Sequence, residues 1–284
     1  MPLPPAPCCD DTVVTFVHDL GVTWRLFLTM AGAMTALLYG SSLVYGQSTA
    51  NSVTRPLRPI SIPFIGCPSF GQIEVLEAPK GTSEPVPIRE QDGQALAYYK
   101  SADGISVLAP RGWYCQGVSG SGGAALFLGP RLIVDSSSGW EGLGGAAMEV
   151  NDISGENSGR YEIAEVIARV FPAYRQFARQ VWEYLDSPLP SGPYPKDTLT
   201  YRGNTVVEYR TPARTEGLGN FHSWLGKNDL PIAGAAILLI DSPHPSGNVP
   251  HLLLLSVRFP RDLARLTPTI VRYVERDAVA ATRK

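Results

Sequence analysis

Between residues 72 and 135, apolar and β-branched runs of four to six residues alternate with Gly- and Pro-containing turns, the pattern of short strands. The runs cover 72–76, 95–100, 105–109, 113–118, 124–128 and 132–135. They predict an antiparallel meander. Over 160–186 the period changes: Ile163, Val166, Ile167, Val170, Phe171, Tyr174, Phe177, Val181, Trp182 and Leu185 recur at three- and four-residue steps, and Arg169, Arg175, Arg179 and Glu183 lie largely off that face. This predicts a long amphipathic helix. Pro172 interrupts the hydrogen-bond ladder, so a kink or two abutting helices is expected, with Ser158 as candidate cap. Strands return at 198–201, 205–211, 233–241 and 251–259. The last two are nearly continuous apolar runs, which predicts central strands covered on both faces. Thr267 and Pro268 read as cap and first residue of a final helix reaching about Ala278.

Strands, a helix, strands and a helix predict an α+β fold, an antiparallel sheet covered by a long Pro-kinked helix and a C-terminal helix. Residues 72–284 read as a single domain. The Ser- and Gly-rich stretch 136–157 is the alternative boundary. Residues 47–71, rich in Pro, Ser and Gly, read as an extended lead-in anchored near Cys67.

Residues 1–46 read as a signal peptide region. One positive charge at Arg25 precedes an uncharged apolar run and a small-residue exit. Val44 and Gly46 place the cut before Gln47, and Ala50 offers a weaker site. A core helix and an uncleaved anchor are the competing readings, but the Ser-rich end fits cleavage better. Residues 1–21 contain Asp10, Asp11 and Asp19 and no Lys or Arg. They read as a misassigned extension ahead of Val22. The expectation is a bacterial protein exported to the periplasm or beyond, with no membrane attachment after cleavage.

At 284 residues and 44% hydrophobic, the chain is long and apolar enough to bury a core. Without residues 1–46 the acidic and basic side chains balance. This argues against nucleic acid as a partner. Cys67 and Cys115 are then the remaining cysteines, and in an oxidising compartment a disulfide between them is the natural expectation. In the chain-entropy model it stabilises the fold by about 4 kcal/mol. Two buried thiols, or a redox or metal pair, are the alternatives. The chain has no Cys-x-x-Cys, and no His at zinc-finger spacing from either Cys.

Catalytic chemistry is thinly supplied. His244 occupies a Ser-Pro-His-Pro turn and His251 opens a predicted strand; both read as surface residues. His222, in Gly-Asn-Phe-His-Ser-Trp, is the most interesting histidine, without a metal partner at helical or strand spacing. Ser119 lacks the second Gly of a nucleophile elbow. Gly117 to Gly123 lack the Lys-Ser/Thr and third-Gly features of phosphate-binding loops. That segment reads as a hairpin turn. Glu156, Glu162 and Glu165 answer the dipole of the long helix. The segment 210–220 is the candidate binding loop: Arg210, Arg214 and Glu216 lie between a strand and flexible glycines, with His222 just beyond. No cofactor and no metal is implied.

Gly66-Cys67-Pro68-Ser69 and Pro110-Arg111-Gly112-Trp113 with Cys115 resemble a family of exported bacterial proteins with no assigned activity. Further matches are Ser158-Gly159-Arg160-Tyr161, Thr215-Glu216-Gly217-Leu218-Gly219 and Asn228-Asp229-Leu230-Pro231. The resemblance implies a signal peptide and a Cys67–Cys115 pair; it carries over no catalytic residue. Phe70 departs from it, standing where the family has Asp. An edge strand leading into Pro-x-Gly-Trp also looks like small α+β binding domains of the PsbP type, an analogy of fold alone. The functional expectation is a soluble binding or assembly module of the cell envelope, taking a protein or small ligand without turnover. An envelope hydrolase using His222 with a Ser or Asp, and a purely structural envelope protein, are the alternatives.

Overall fold

The computed structural model describes residues 57–131, 143–240 and 249–281. The predicted signal region 1–46, the lead-in up to residue 56, the predicted strand 132–135 and His244 lie outside them. All described residues belong to one compact unit, Thr54–Lys284.

A strand that the sequence reading left out organises the unit. Along β9 (Ala147–Ser154), Met148 and Val150 point to one face, while Ala147 and Ile153 point to the other. Such alternation places a strand between two packed layers. β9 pairs antiparallel with β8 (Gly123–Gly129) and with β13 (His251–Arg258). It therefore lies mid-sheet, where a domain boundary was the alternative. The large sheet has nine strands, ordered β10-β11-β12-β13-β9-β8-β7-β2-β3. Here β2 is Ser69–Phe70, β3 Val75–Leu76, β7 Tyr114–Gly120, β10 Thr198–Arg202, β11 Val206–Thr211 and β12 Ile232–Leu239. All its neighbours are antiparallel except β2 and β7.

The predicted meander is divided between two sheets. β5 (Leu96–Ser101) and β6 (Ser106–Pro110) form a four-stranded sheet with β1 (Ile60–Cys67) and β4 (Ser83–Val86), ordered β4-β1-β5-β6. The extended segment before residue 72 thus contributes β1, which pairs parallel with β5. A corner at Pro110–Trp113 separates β6 from β7. The Tyr99 hydroxyl donates to the Pro110 carbonyl at 2.8 Å and accepts from the Trp113 N–H at 3.1 Å. Gly112 turns the chain with φ of 77°, a conformation that costs a glycine little. Cys67 at the end of β1 and Cys115 in β7 form a disulfide with a Cα–Cα separation of 5.4 Å, joining the two sheets.

Both faces of the large sheet are covered, as the apolar runs of β12 and β13 predict. On one face Leu126, Met148, Ile237 and Leu255 pack against the small sheet and α4 (Thr267–Ala281) through Val107, Leu108, Ile270 and Val274. On the other, Val207, Ala236, Leu252 and Leu254 pack under α2 (Gly159–Val170) through Ile163, Val166 and Ile167. Each fully buried aliphatic side chain contributes about 1.5–3 kcal/mol relative to exposure. The strands with apolar residues on both faces therefore anchor the fold.

The long helix divides at Pro172, as its missing N–H requires. α2 ends at Val170, a 3-10 turn spans Pro172–Tyr174, and α3 runs Arg175–Trp182. Two caps differ from expectation. Ser158 occupies the N-cap position of α2 in a helical backbone conformation, and its hydroxyl makes no capping bond. Thr267 is already helical, because a 3-10 turn at Ala264–Leu266 leads into α4, which continues to Ala281. α1 (Glu90–Ala95) is a short helix that the sequence does not announce. Among the described residues, no helix is long and apolar enough to cross a membrane.

Candidate functional site

The glycine cluster forms the β7–β8 hairpin, with Gly120 opposite Gly123 across a turn of Ser121 and Gly122. Its glycines permit close backbone approach. A Cβ on Gly123 would lie 2.1 Å from the Asp152 carbonyl oxygen, and one on Gly159 would lie 2.6 Å from that of Gly122. The Ser154 N–H donates to the Gly122 carbonyl at 2.9 Å. Hairpin, end of β9 and start of α2 therefore meet backbone to backbone. The glycines serve packing, in keeping with the rejected elbow and phosphate-loop readings.

Beside this junction lies a cleft of about 220 Å³. Ala125 and Phe127 of β8 and Glu149 and Asn151 of β9 form its floor, the backbone of Ala124 and Asp152 borders it, and Glu162, His222 and Trp224 surround it. The rings of Phe127 and Trp224 are 4.7 Å apart. Glu149 and Glu162 bring carboxyl groups to the cleft, and no Lys or Arg lines it; period-two alternation turns the Asp152 side chain to the opposite face of the sheet, with Val150.

Glu149 holds the wall of the cleft in place. It is 1% exposed. Its Oε2 accepts from the Ser223 hydroxyl at 2.6 Å and the Trp224 N–H at 2.9 Å, and its Oε1 accepts from Asn151 Nδ2 at 2.8 Å. Burial pushes its carboxyl above the ordinary value, and these hydrogen bonds oppose the rise. Arg258, fully buried on β13, donates to the carbonyls of Leu143, Gly145 and Leu225. Burial lowers its pKa and the charge of Glu149 opposes that. Between them, the two residues tie segments 143–145 and 223–225 to the sheet. Nearby, the buried Tyr209 hydroxyl donates to the Leu255 carbonyl at 2.6 Å and lies 2.7 Å from Ser256 Oγ.

Of the four candidate loop residues, His222 alone lines the cleft. Its φ is +42°, uncommon for a non-glycine residue. Its ring meets Phe221 edge-on at 4.2 Å. Among the described residues no hydroxyl or carboxylate forms a hydrogen bond or ion pair with it. Arg210 is an exposed residue of β11. Arg214, with φ of 60°, pairs with Asp229 at 2.5 Å, and Glu216 pairs with Lys227 at 3.4 Å. Exposed pairs of this kind contribute little stability; they close the loop on itself. Its half-buried anchor is Asp197, which accepts from the Thr211 hydroxyl at 2.8 Å and the Leu218 N–H at 2.7 Å. Burial raises its carboxyl above the ordinary value.

The remaining sequence candidates are dispersed. His251 lies 3.8 Å from Asp152, both partly exposed. Glu165 pairs with Arg169 at 3.1 Å, one turn on. Glu162 reaches the cleft. Sequence reasoning missed Glu149, Asn151, Asp152, Phe127 and Trp224. The available signal was the alternation in Met148-Glu149-Val150-Asn151, which marks a strand. Among the described residues no group of three or more His, Cys, Asp or Glu is placed to hold a metal ion.

Small residues on the floor, an aromatic pair and the Glu162 carboxyl at the opening suit recognition of a group presenting positive charge against a ring face. No family model, curated protein or solved structure matches this chain.

Proposed function

We propose that the protein is exported and acts in the cell envelope as a disulfide-linked binding module, holding a cationic group of a small ligand or partner protein in the cleft between the β7–β8 hairpin and His222–Trp224, without turnover. The cleft itself carries this reading: Phe127 and Trp224 with ring centroids 4.7 Å apart, Glu162 beside them, and no Lys or Arg in the lining. A guanidinium or ammonium group over such a ring gains about 0.5–2 kcal/mol. Among the described residues His222 has no hydroxyl or carboxylate partner, which favours binding over hydrolysis. The Cys67–Cys115 bridge supports the exported setting, because cytosolic thiols are kept reduced. So does the resemblance of Gly66–Ser69 and Pro110–Cys115 to an exported family.

The test is native mass spectrometry of the unreduced protein from its own host's envelope, beside Trp224→Ala and Glu162→Gln variants. The expected mass begins at Gln47, is two hydrogens below the reduced value, and carries a passenger that both variants lose. A full-length protein with free thiols overturns export. A hydrolytic activity abolished by His222→Ala overturns the non-catalytic reading.

A further inference from the structure

β10 ends the large sheet, pairing with β11 on one side, and no described strand lies on its other side. Every second backbone N–H and C=O of such an edge points outward without a ladder partner, a template for another strand. Its sequence is Thr198-Leu199-Thr200-Tyr201-Arg202, and all of these side chains except Leu199 are exposed. Tyr201 is 51% exposed. Leu199 packs against the core beneath α2 and α3, and period-two alternation sets Tyr201 on that same face. Thr198, Thr200 and Arg202 take the opposite face, where Arg202 pairs with Glu208.

We propose that β10 pairs antiparallel with β10 of a second copy of this chain, about a two-fold axis through Thr200. Only this axis uses all five residues. It sets Thr200 against its own copy, and Leu199 against Tyr201 twice on the α2 face. Aromatic–aliphatic pairs of this kind stabilise a sheet. On the other face Arg202 meets Thr198, so no like charges are directly opposed. The two large sheets become one continuous sheet, and the interface is isologous, as two-fold symmetry requires. Five residues a side is a small contact, so the dimer is weak, with a dissociation constant of roughly 10–100 μM.

The experiment is sedimentation equilibrium of the oxidised protein across that range, with disulfide trapping in a background where Cys8 and Cys9 are Ser. Wild type is expected to dimerise. Thr200→Lys, an exposed substitution that opposes two ammonium groups on the axis, weakens the dimer about tenfold while the circular dichroism spectrum stays the same. Thr200→Cys gives a covalent dimer under mild oxidation. Thr198→Cys alone gives none, but does so when mixed with Arg202→Cys. A wild-type chain monomeric throughout the range, or equal trapping at 198 and 200, overturns the proposal.

Discussion

Replacing Glu149 by Ala removes the acceptor of three hydrogen bonds at once. The Ser223 hydroxyl, the Trp224 N–H and the Asn151 amide lose their partner, and Arg258 loses the nearby carboxylate. Each buried donor left without an acceptor costs about 1–3 kcal/mol, which for these partners sums to about 3–5 kcal/mol. For a unit of this size each kcal/mol is roughly 2–4 °C, so the melting temperature falls by about 6–20 °C. Glu149→Gln keeps the shape and removes the titration. Its loss at neutral pH is about 1–2 kcal/mol, the scale of a charge-assisted hydrogen bond. The pH dependence has a definite sign. Burial raises the folded-state pKa of Glu149 above the ordinary 4.5, so the folded state holds the proton more tightly. Its contribution is complete below the unfolded value and is lost as pH rises through the folded value. The gap between wild type and Glu149→Gln therefore shifts in favour of Gln as pH rises above 4.5. Urea unfolding followed by tryptophan fluorescence, at several pH values, measures both quantities. A loss below about 1 kcal/mol in Glu149→Ala would mean that this carboxylate does not hold the 223–225 segment.

Reducing the Cys67–Cys115 bridge, whose cysteines are 48 residues apart, lowers stability by about 4 kcal/mol in the chain-entropy model; urea midpoints with and without a phosphine reductant check this, and coincident midpoints would refute it. Gly234→Ala places a Cβ 1.8 Å from the Leu255 carbonyl oxygen and 2.7 Å from the Tyr209 hydroxyl, so backbone must shift at a cost of about 3 kcal/mol; a thermal scan unchanged from wild type would contradict that contact. His222→Gly relieves a positive φ and leaves stability unchanged or raised by up to about 1 kcal/mol. Differential scanning calorimetry reads this, and a clear drop in melting temperature would show that the imidazole supports the loop.

The apolar periodicity of this chain determines much of its framework by itself. Runs at 233–241 and 251–259 specify strands buried on both faces, because nearly every position is apolar. The three- and four-residue spacing of 160–186 specifies an amphipathic helix, and Pro172 specifies where it divides, since proline has no N–H to donate. Cys67 and Cys115 are paired as an exported chain would require. Tertiary structure alone decided the rest. A buried Glu149 reads as a solvent-facing residue until Ser223, Trp224 and Asn151 are brought to it, so β9 and the cleft it floors escaped a local reading. β5–β6 and β7–β8 look like one meander until Tyr99 bolts the Pro110–Trp113 corner and sends them into separate sheets. Periodicity reports which side of an element avoids water. It carries no record of which distant polar atoms will share a desolvated site, because that depends on contacts between residues far apart in the chain.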